Sequence, residues 1–503
     1  MKNKNILYIF LWALLLQSVS SCSKSFLETN PKGQTFENNY YSSAEEVYSG
    51  MIAAYAVLGT ETSGAATDWY CDKLGPLNSA GDDCYAGGGT STDMPSWQAW
   101  NSYTLSAAVG PQAGYWGVNY GGIYRANLIL QKLDGTTIAG LTDEMRSRYI
   151  AEAKFLRAYF YFELVRLFGN IPLITVPLEA KDWYTVTQAK PEEVYAQIEK
   201  DLNDAIAVLP SVVPASEGGR ATKGAATAML GKAILFQNNE SRMKDAATLF
   251  EGVITSGVYD LLPNFPDVFS PENKFNKESV FEIVHSSAQN AQWGQNPFSG
   301  NIYVAMIGPR DYTGSKYYSG WSFNPITPEL VDVMKGDPRY PYTIANVDSL
   351  VKATSGANYK EGYQNTGYFI EKFAPLRKYI STVGQDILNY PNDYIEIRFS
   401  DVLLMAAEAE LRGGGSTAKA QEYLNKVRAR VGLPSVPATL DNVYKERRLE
   451  LATEGHRWYD LVRTGKAATV LTSKGFKAGT HEVLPIPLNE LNNTKLVQNK
   501  GYN

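Results

Sequence analysis

The chain has 503 residues, 44% of them hydrophobic and 20% charged, with a formal net charge of −5. Its length exceeds that of one ordinary compact domain, its apolar content excludes a disordered chain, and its acidic balance offers no basic field to nucleic acid. Tyrosines outnumber phenylalanines 33 to 19, and because each phenol hydroxyl seeks a partner, the excess points to polar aromatic surfaces.

Lys2 and Lys4 precede an apolar run from Ile6 to Leu16, and "QSVSSC" follows with small residues ahead of Cys22. This is the layout of a secretory signal peptide over residues 1–21, and the run is too short to span a bilayer. Val19, Ser20, Ser21 and Cys22 resemble a bacterial lipobox, which makes Cys22 the lipidated first residue of an anchored segment, 22–40. Cleavage there leaves 45 basic against 52 acidic residues, so the body is held at a membrane by its lipid and not by charge. Export also bears on Cys71 and Cys84. In an oxidising compartment a disulfide across their 12 intervening residues stabilises by about 3 kcal/mol; the alternative is two buried thiols.

Ser43 and Glu46 form a capping box ahead of Val47, Met51, Ala54 and Leu58, predicting a helix over about 43–58. Ile123, Asn127, Leu130 and Leu133 mark a second. Thr142 caps a third, whose apolar positions include Met145, Tyr149, Ala153, Leu156, Phe160, Leu164 and Leu167 before Gly169 and Pro172 end it. Pro191 opens a fourth, lined by Val194, Ile198, Leu202, Ala205 and Leu209. Two more, over about 222–237 and 242–256, carry alanines at close contacts, and the series reads as tetratricopeptide-like hairpins.

From 257 to about 390, Gly, Pro, Asn and aromatics break every period, leaving strand candidates at "SVFEIVH" and "YFIEKF". Helices resume at Phe399 and continue through "TAKAQEYLNKVRARVG" and "TLDNVYKERRLELATEGHRWYDLVRTG". The expected fold is mainly α, a tetratricopeptide-like helical hairpin scaffold with a long loop-rich, minor-β insert. It forms one body over 41–503: helical at 41–256, loop-rich at 257–398, and C-terminal helices and tail at 399–503.

A search for catalytic constellations finds no G-x-S-x-G elbow and no H-E-x-x-H. "GGRATKGAATA" lacks the lysine after Gly224 that grips phosphate, and three scattered histidines (285, 456, 481) make no zinc site. Asp82, Asp83 and Asp93 offer carboxyls, but glycoside hydrolysis needs two such groups roughly 5–10 Å apart across a cleft. In extended chain the side chains of Asp82 and Asp83 point opposite ways. In "KERRLELATEGHRW", Arg447 with Glu450 and Glu454 with Arg457 are spaced to pair along one helix face, as a structural network.

The aromatic pattern remains. Trp69, Trp97, Trp100 and Trp116 fall within 48 residues, and from Cys84 to Tyr124 the only charged residue is Asp93. From Asn290 to Thr327, Trp293, Phe298, Tyr303, Tyr312, Tyr317, Tyr318, Trp321 and Phe323 share space with Arg310, Asp311 and Lys316 alone. Aromatic faces among uncharged hydrogen-bonding groups suit a sugar, whose ring face stacks while its hydroxyl rim bonds to amides and carboxylates. Two loops of one texture suggest two halves of one surface, with Trp97 and Trp100 held outward as a stacking platform.

The motifs "CSKSFLETNP", "YGGIYRANLIL", "AEAKFLRAYFYFELVRLFGNIPLI", "IRFSDVLLMAAEAELRGG", "AQEYLNKVRARVGLP", "ERRLELATEGHRWYDLVRTGK" and the closing "LPIPLNEL…VQNKGY" resemble those of the SusD/RagB family, in the family's order. The resemblance spans nearly the whole mature chain and implies a cell-surface lipoprotein of the outer membrane, without catalytic activity or cofactor. It implies a protein that captures oligosaccharides and delivers them to a TonB-dependent transporter of the SusC type; some relatives handle peptides instead. By the resemblance, ligands meet aromatics on the segments around Trp97 and Trp100 and around Trp293 to Trp321. Within and beside these, residue chemistry makes Asp82, Asp83, Trp97, Trp100, Trp293, Tyr303, Tyr317, Tyr318 and Trp321 the candidate ligand-binding residues. A calcium ion near Asp82 and Asp83 is left open.

Overall fold

The Ser43 hydroxyl accepts the Glu46 amide at 3.2 Å, while the Glu46 carboxylate reaches past it to the Ser42 amide at 2.6 Å. This capping opens helix α1 (Ala44–Ser63) and turns Val47, Met51, Ala54 and Leu58 into the core. The computed structural model to which it belongs describes residues 40–63, 73–293, 299–492 and 494–502. The signal peptide, the anchored segment to residue 39, Cys22, Trp69 and Cys71 lie outside the described residues.

Two short helices, α2 (Leu74–Ala80) and α3 (Pro95–Asn101), lead into the long ones. These are α4 (Gln112–Leu133), α5 (Asp143–Phe168), α6 (Pro191–Ile206), α7 (Lys223–Phe236) and α8 (Met243–Ile254). Thr142 and Thr222 accept the first-turn amides of Met145 and Ala225, and Gly169, at φ 70°, ends α5. Each of these long helices packs on the next. Small residues set the spacing. A side chain at Gly122 would fall 2.3 Å from the Phe160 ring, and one at Gly231 would fall 2.7 Å from Phe250.

Helix α8 packs on α7 and also on α9 (Phe399–Arg412), which carries α10 (Thr417–Arg430). The loop-rich stretch therefore leaves the helical array and returns to it. Strand β3 (Ser279–Ile283) pairs antiparallel with β6 (Tyr394–Arg398), stitching the two ends of that excursion together. Two further two-stranded sheets, β1 (Ile171–Pro172) with β2 (Gln188–Ala189) and β4 (Ile344–Asn346) with β5 (Tyr368–Ile370), complete the β content of the described residues. The fold is mainly α, and one apolar core runs from Val47 to Ile486.

Two departures from the sequence reading have physical causes. Strand β6 is buried along its length although it contains Glu396, because Lys73 meets that carboxylate at 2.5 Å and Lys232 at 3.5 Å. The last long helical stretch breaks into α11 (Leu440–Glu450) and α12 (Arg457–Arg463), with Thr453 and Gly455 at positive φ between them.

That break redirects the charges. The pairs Arg447–Glu450 and Glu454–Arg457 do not form. Arg447 instead meets Asp401 at 2.6 Å and Asp460 at 3.1 Å. Glu450 takes Arg398 at 2.6 Å and Arg339 at 2.7 Å, together with Arg430. Glu454 takes Arg398 at 2.7 Å and Lys372 at 2.6 Å. The network is structural, but it ties the loop-rich part to the C-terminal helices instead of bracing one helix face.

Candidate functional site

Helix α3 places Trp97 and Trp100 three residues apart on one face, and that face turns inward. Both indoles are fully buried. Trp97 lies on Gly75, where a side-chain carbon would come within 1.8 Å of the ring, and meets Phe323 edge-on at 5.1 Å. Trp100 meets Trp458 edge-on at 5.1 Å and Tyr115 at 6.2 Å. The expected outward platform is corrected: these tryptophans fasten the early loop to the core.

The two aspartates are likewise engaged. Arg457 grips Asp82 through two bonds of 2.6 and 3.0 Å, and Arg448 reaches Asp82 at 2.8 Å and Asp83 at 2.7 Å. Burial pushes the Asp82 carboxyl up, but Arg457 and Arg448 outweigh it and hold the group below its ordinary range. These carboxylates dock α2 against the C-terminal helices, which corrects their assignment to ligand. Cys84 is a free, buried thiol, and Cys71, the other half of the expected bridge, lies outside the described residues. Burial, with the Asp83 charge beside it, pushes that thiol well above the usual range.

Tyr303 is also a core residue. Its hydroxyl accepts from Asn78 at 2.9 Å and donates to Asn324 at 3.1 Å. Tyr317 is buried against Tyr312 and donates to Glu371. Tyr318 is half-buried, donating to Asp386 at 2.5 Å under the Arg377 guanidinium.

Trp293 and Trp321 behave differently. Trp293 is 47% exposed and Trp321 half-buried, with ring centroids 6.2 Å apart and planes 19° from parallel. Trp321 is set by its amide, which donates to Ala305 at 3.1 Å. The segment leading to Trp293 is clamped by Asn389, whose amide nitrogen donates to Ser287 and Gln289 at 2.9 Å each and to Val383 at 2.7 Å. At the root of the same segment the Asp393 carboxylate accepts the His285 amide at 2.7 Å and Lys274 at 2.6 Å. Neither Asn389 nor Asp393 carries a sequence signal that would single it out, because Ser287, Gln289 and His285, whose backbone groups they hold, are about a hundred residues away.

The two aromatic segments do come together, through backbone. Gly88 donates to Ser322 at 2.8 Å, Asn324 to Ala86 at 3.0 Å and Tyr85 to Pro325 at 3.0 Å. A third segment joins them, Tyr363 donating to Gly88 at 2.8 Å. The early loop thus contributes glycines and Asp93 to the junction, while Trp293 and Trp321 come from the later segment and the exposed Tyr363 from the third.

A helical-repeat scaffold whose inserted loops carry a near-parallel pair of accessible indoles is the class of protein this geometry defines. A family model for the SusD family matches residues 308–502, and one described as "Starch-binding associating with outer membrane" matches residues 26–235. A laminarin-binding SusD-like protein is 43% identical, covering 92% of this chain and 100% of its own, with a TM-score of 0.87. The surface glycan-binding protein A of Bacteroides thetaiotaomicron, solved in complex with laminarihexaose, is 30% identical over 91% of this chain and 99% of its own, with a TM-score of 0.83. The starch-binding protein SusD of Bacteroides thetaiotaomicron is 25% identical over 72% of this chain and 74% of its own. The chain belongs to the SusD family.

Proposed function

We propose that this protein is a lipid-anchored, surface-exposed outer-membrane protein that captures oligosaccharides of the laminarin type and delivers them to a SusC-like TonB-dependent transporter, without catalysing a reaction. The Trp293–Trp321 pair carries the reading: two accessible indole faces, fixed by backbone clamps, offer a pyranose chain successive apolar contacts at little ordering cost. The names of the relatives supply the ligand class. Cys22 and the leader before it support the anchor.

Calorimetric titration with laminarihexaose tests the reading, with maltohexaose as the comparison sugar. Saturable heat with laminarihexaose that disappears on Trp321→Ala is expected. No heat with either sugar, together with peptides co-purifying from the native source, would transfer the protein to the peptide-capturing branch.

A further inference from the structure

Asp93 is the single charge between Cys84 and Tyr124, and Arg310 is one of three between Asn290 and Thr327. The fold brings these two residues together from opposite segments. Arg310 Nη2 lies 3.7 Å from Asp93 Oδ2 and donates to the Trp321 carbonyl at 2.7 Å. Both residues are held from several sides. The Arg310 amide donates to the Ser322 hydroxyl at 3.0 Å, its carbonyl accepts from Lys360 at 2.8 Å, and Asp93 Oδ2 accepts the Gly89 amide at 2.7 Å. Gly89 passes so close that a side-chain carbon there would sit 3.1 Å from the guanidinium.

This pair differs from the ion pairs that hold the fold together. Arg457 and Asp82 close two bonds of 2.6 and 3.0 Å and are mutually satisfied. Asp93 and Arg310 are stretched and partly open, with side chains 38% and 25% exposed. Arg310 Nε is buried without a hydrogen-bond partner, and neither Arg310 Nη1 nor Asp93 Oδ1 has one among the described residues. Five guanidinium N–H groups and four carboxylate lone-pair sites are thus mostly unspent, in segments otherwise nearly free of charge. A stretched, half-solvated ion pair contributes little to stability by itself.

We propose that Asp93 and Arg310 read the hydroxyls of a neutral hexopyranose bound at the Trp321 end of the platform, an inference that rests on the glycan reading above. A stacked sugar keeps its hydroxyls on the ring edge, so selectivity has to come from polar groups beside the aromatic. Arg310 Nη1 donates to one hydroxyl, and a neighbouring hydroxyl donates to Asp93 Oδ1. Each bond involves a charged partner and is worth about tenfold in affinity.

Laminarihexaose is titrated into the wild type, Asp93→Asn, Arg310→Lys and Trp321→Ala. Asp93→Asn keeps an acceptor for the Gly89 amide and Arg310→Lys keeps a positive charge, so both variants are expected to melt with the wild type while binding about tenfold more weakly. The same titration with monodeoxy laminari-oligosaccharides supplies a readout that loop disruption would not move. Removing the hydroxyl that Asp93 reads weakens wild-type binding and leaves Asp93→Asn unaffected. Wild-type affinity in both polar variants, with binding lost in Trp321→Ala, would overturn this inference and leave the glycan reading standing. Equal sensitivity of wild type and Asp93→Asn to every deoxy sugar would overturn it as well. No binding of laminarihexaose by the wild type would defeat the glycan reading, and this inference with it.

Discussion

Trp293 and Trp321 face each other nearly in parallel, 6.2 Å between centroids and 19° between planes, although 28 positions separate them in the chain. An exposed indole pair of this kind leaves apolar area in water that the fold does not need to leave there. Truncating either ring removes stacking area from the bound state, and truncating Trp321 also removes the partly buried edge that packs on the core. Trp321→Ala and Trp293→Ala are each expected to weaken laminarihexaose binding at least tenfold, about 1.4 kcal/mol, by calorimetry. The melting temperature of Trp293→Ala should stay close to the wild type, and that of Trp321→Ala should fall modestly.

Trp97 and Trp100 are expected to behave in the opposite way. Both are fully buried against partners fixed by the fold. Trp97→Ala or Trp100→Ala opens a large cavity and costs about 3–5 kcal/mol, read as a fall in the urea midpoint. Gly75→Ala should destabilise for the complementary reason, since its methyl would lie 1.8 Å from the Trp97 ring. Undiminished stability in Trp100→Ala, with glycan binding lost, would return these tryptophans to the binding surface.

The contrast between the two tryptophan pairs shows where sequence reasoning works and where it stops. Caps and periodicity are local, so Ser43, Thr142, Pro191 and Thr222 place their helices within a few residues. The strand candidates "SVFEIVH" and "YFIEKF" hold β3 and β5 for the same reason. An indole in a Gly/Ser/Thr-rich loop reads alike whether it faces water or core, because the deciding partners, Gly75, Phe323 and Trp458, are fixed only by tertiary structure. The convergence of the two aromatic segments is legible from their shared texture. Asn389, Asp393 and the segment at Tyr363 are not, since the loops they join, through Ser287, His285 and Gly88, are distant in the chain.

The buried ion network offers a third test. Burial pushes Glu450 upward, but Arg430, Arg398 and Arg339 together outweigh it and hold this carboxyl well below its ordinary range. Glu450→Gln leaves three guanidinium groups facing a neutral amide in a fully buried site. Such a change is expected to destabilise by about 3–5 kcal/mol in chemical denaturation. Laminarihexaose affinity per folded molecule should be unchanged, because Glu450 pairs with Arg339, Arg398 and Arg430 and not with Asp93, Arg310 or Trp321.

Glu282 contributes to the response to alkali, alongside Lys372 and Lys474, whose burial lowers their pKa values to about 8. Burial, and then the Asp393 carboxylate beside it, raise its pKa from an ordinary 4.5 to about 8. Asp393 Oδ2 is buried without another hydrogen-bond partner, and a protonated Glu282 supplies the missing donor. The folded chain therefore holds this proton more tightly than the unfolded chain. Its stabilising contribution is whole below about pH 4.5 and is lost as pH rises towards about 8. His285, pushed down to about 3 by burial, stays neutral throughout that window. The stability difference between wild type and Glu282→Gln, whose amide keeps a donor, is expected to shift against the wild type between pH 5.5 and 8.5, by up to ~1.4 kcal/mol per pH unit. Because Asp393 also holds the His285 amide and Lys274 at the root of the Trp293 segment, ionisation of Glu282 should loosen that root. Wild-type binding of laminarihexaose should then weaken above pH 8 while Glu282→Gln binding does not. Parallel stability and binding profiles in the two proteins would show that Glu282 is already ionised in the folded state.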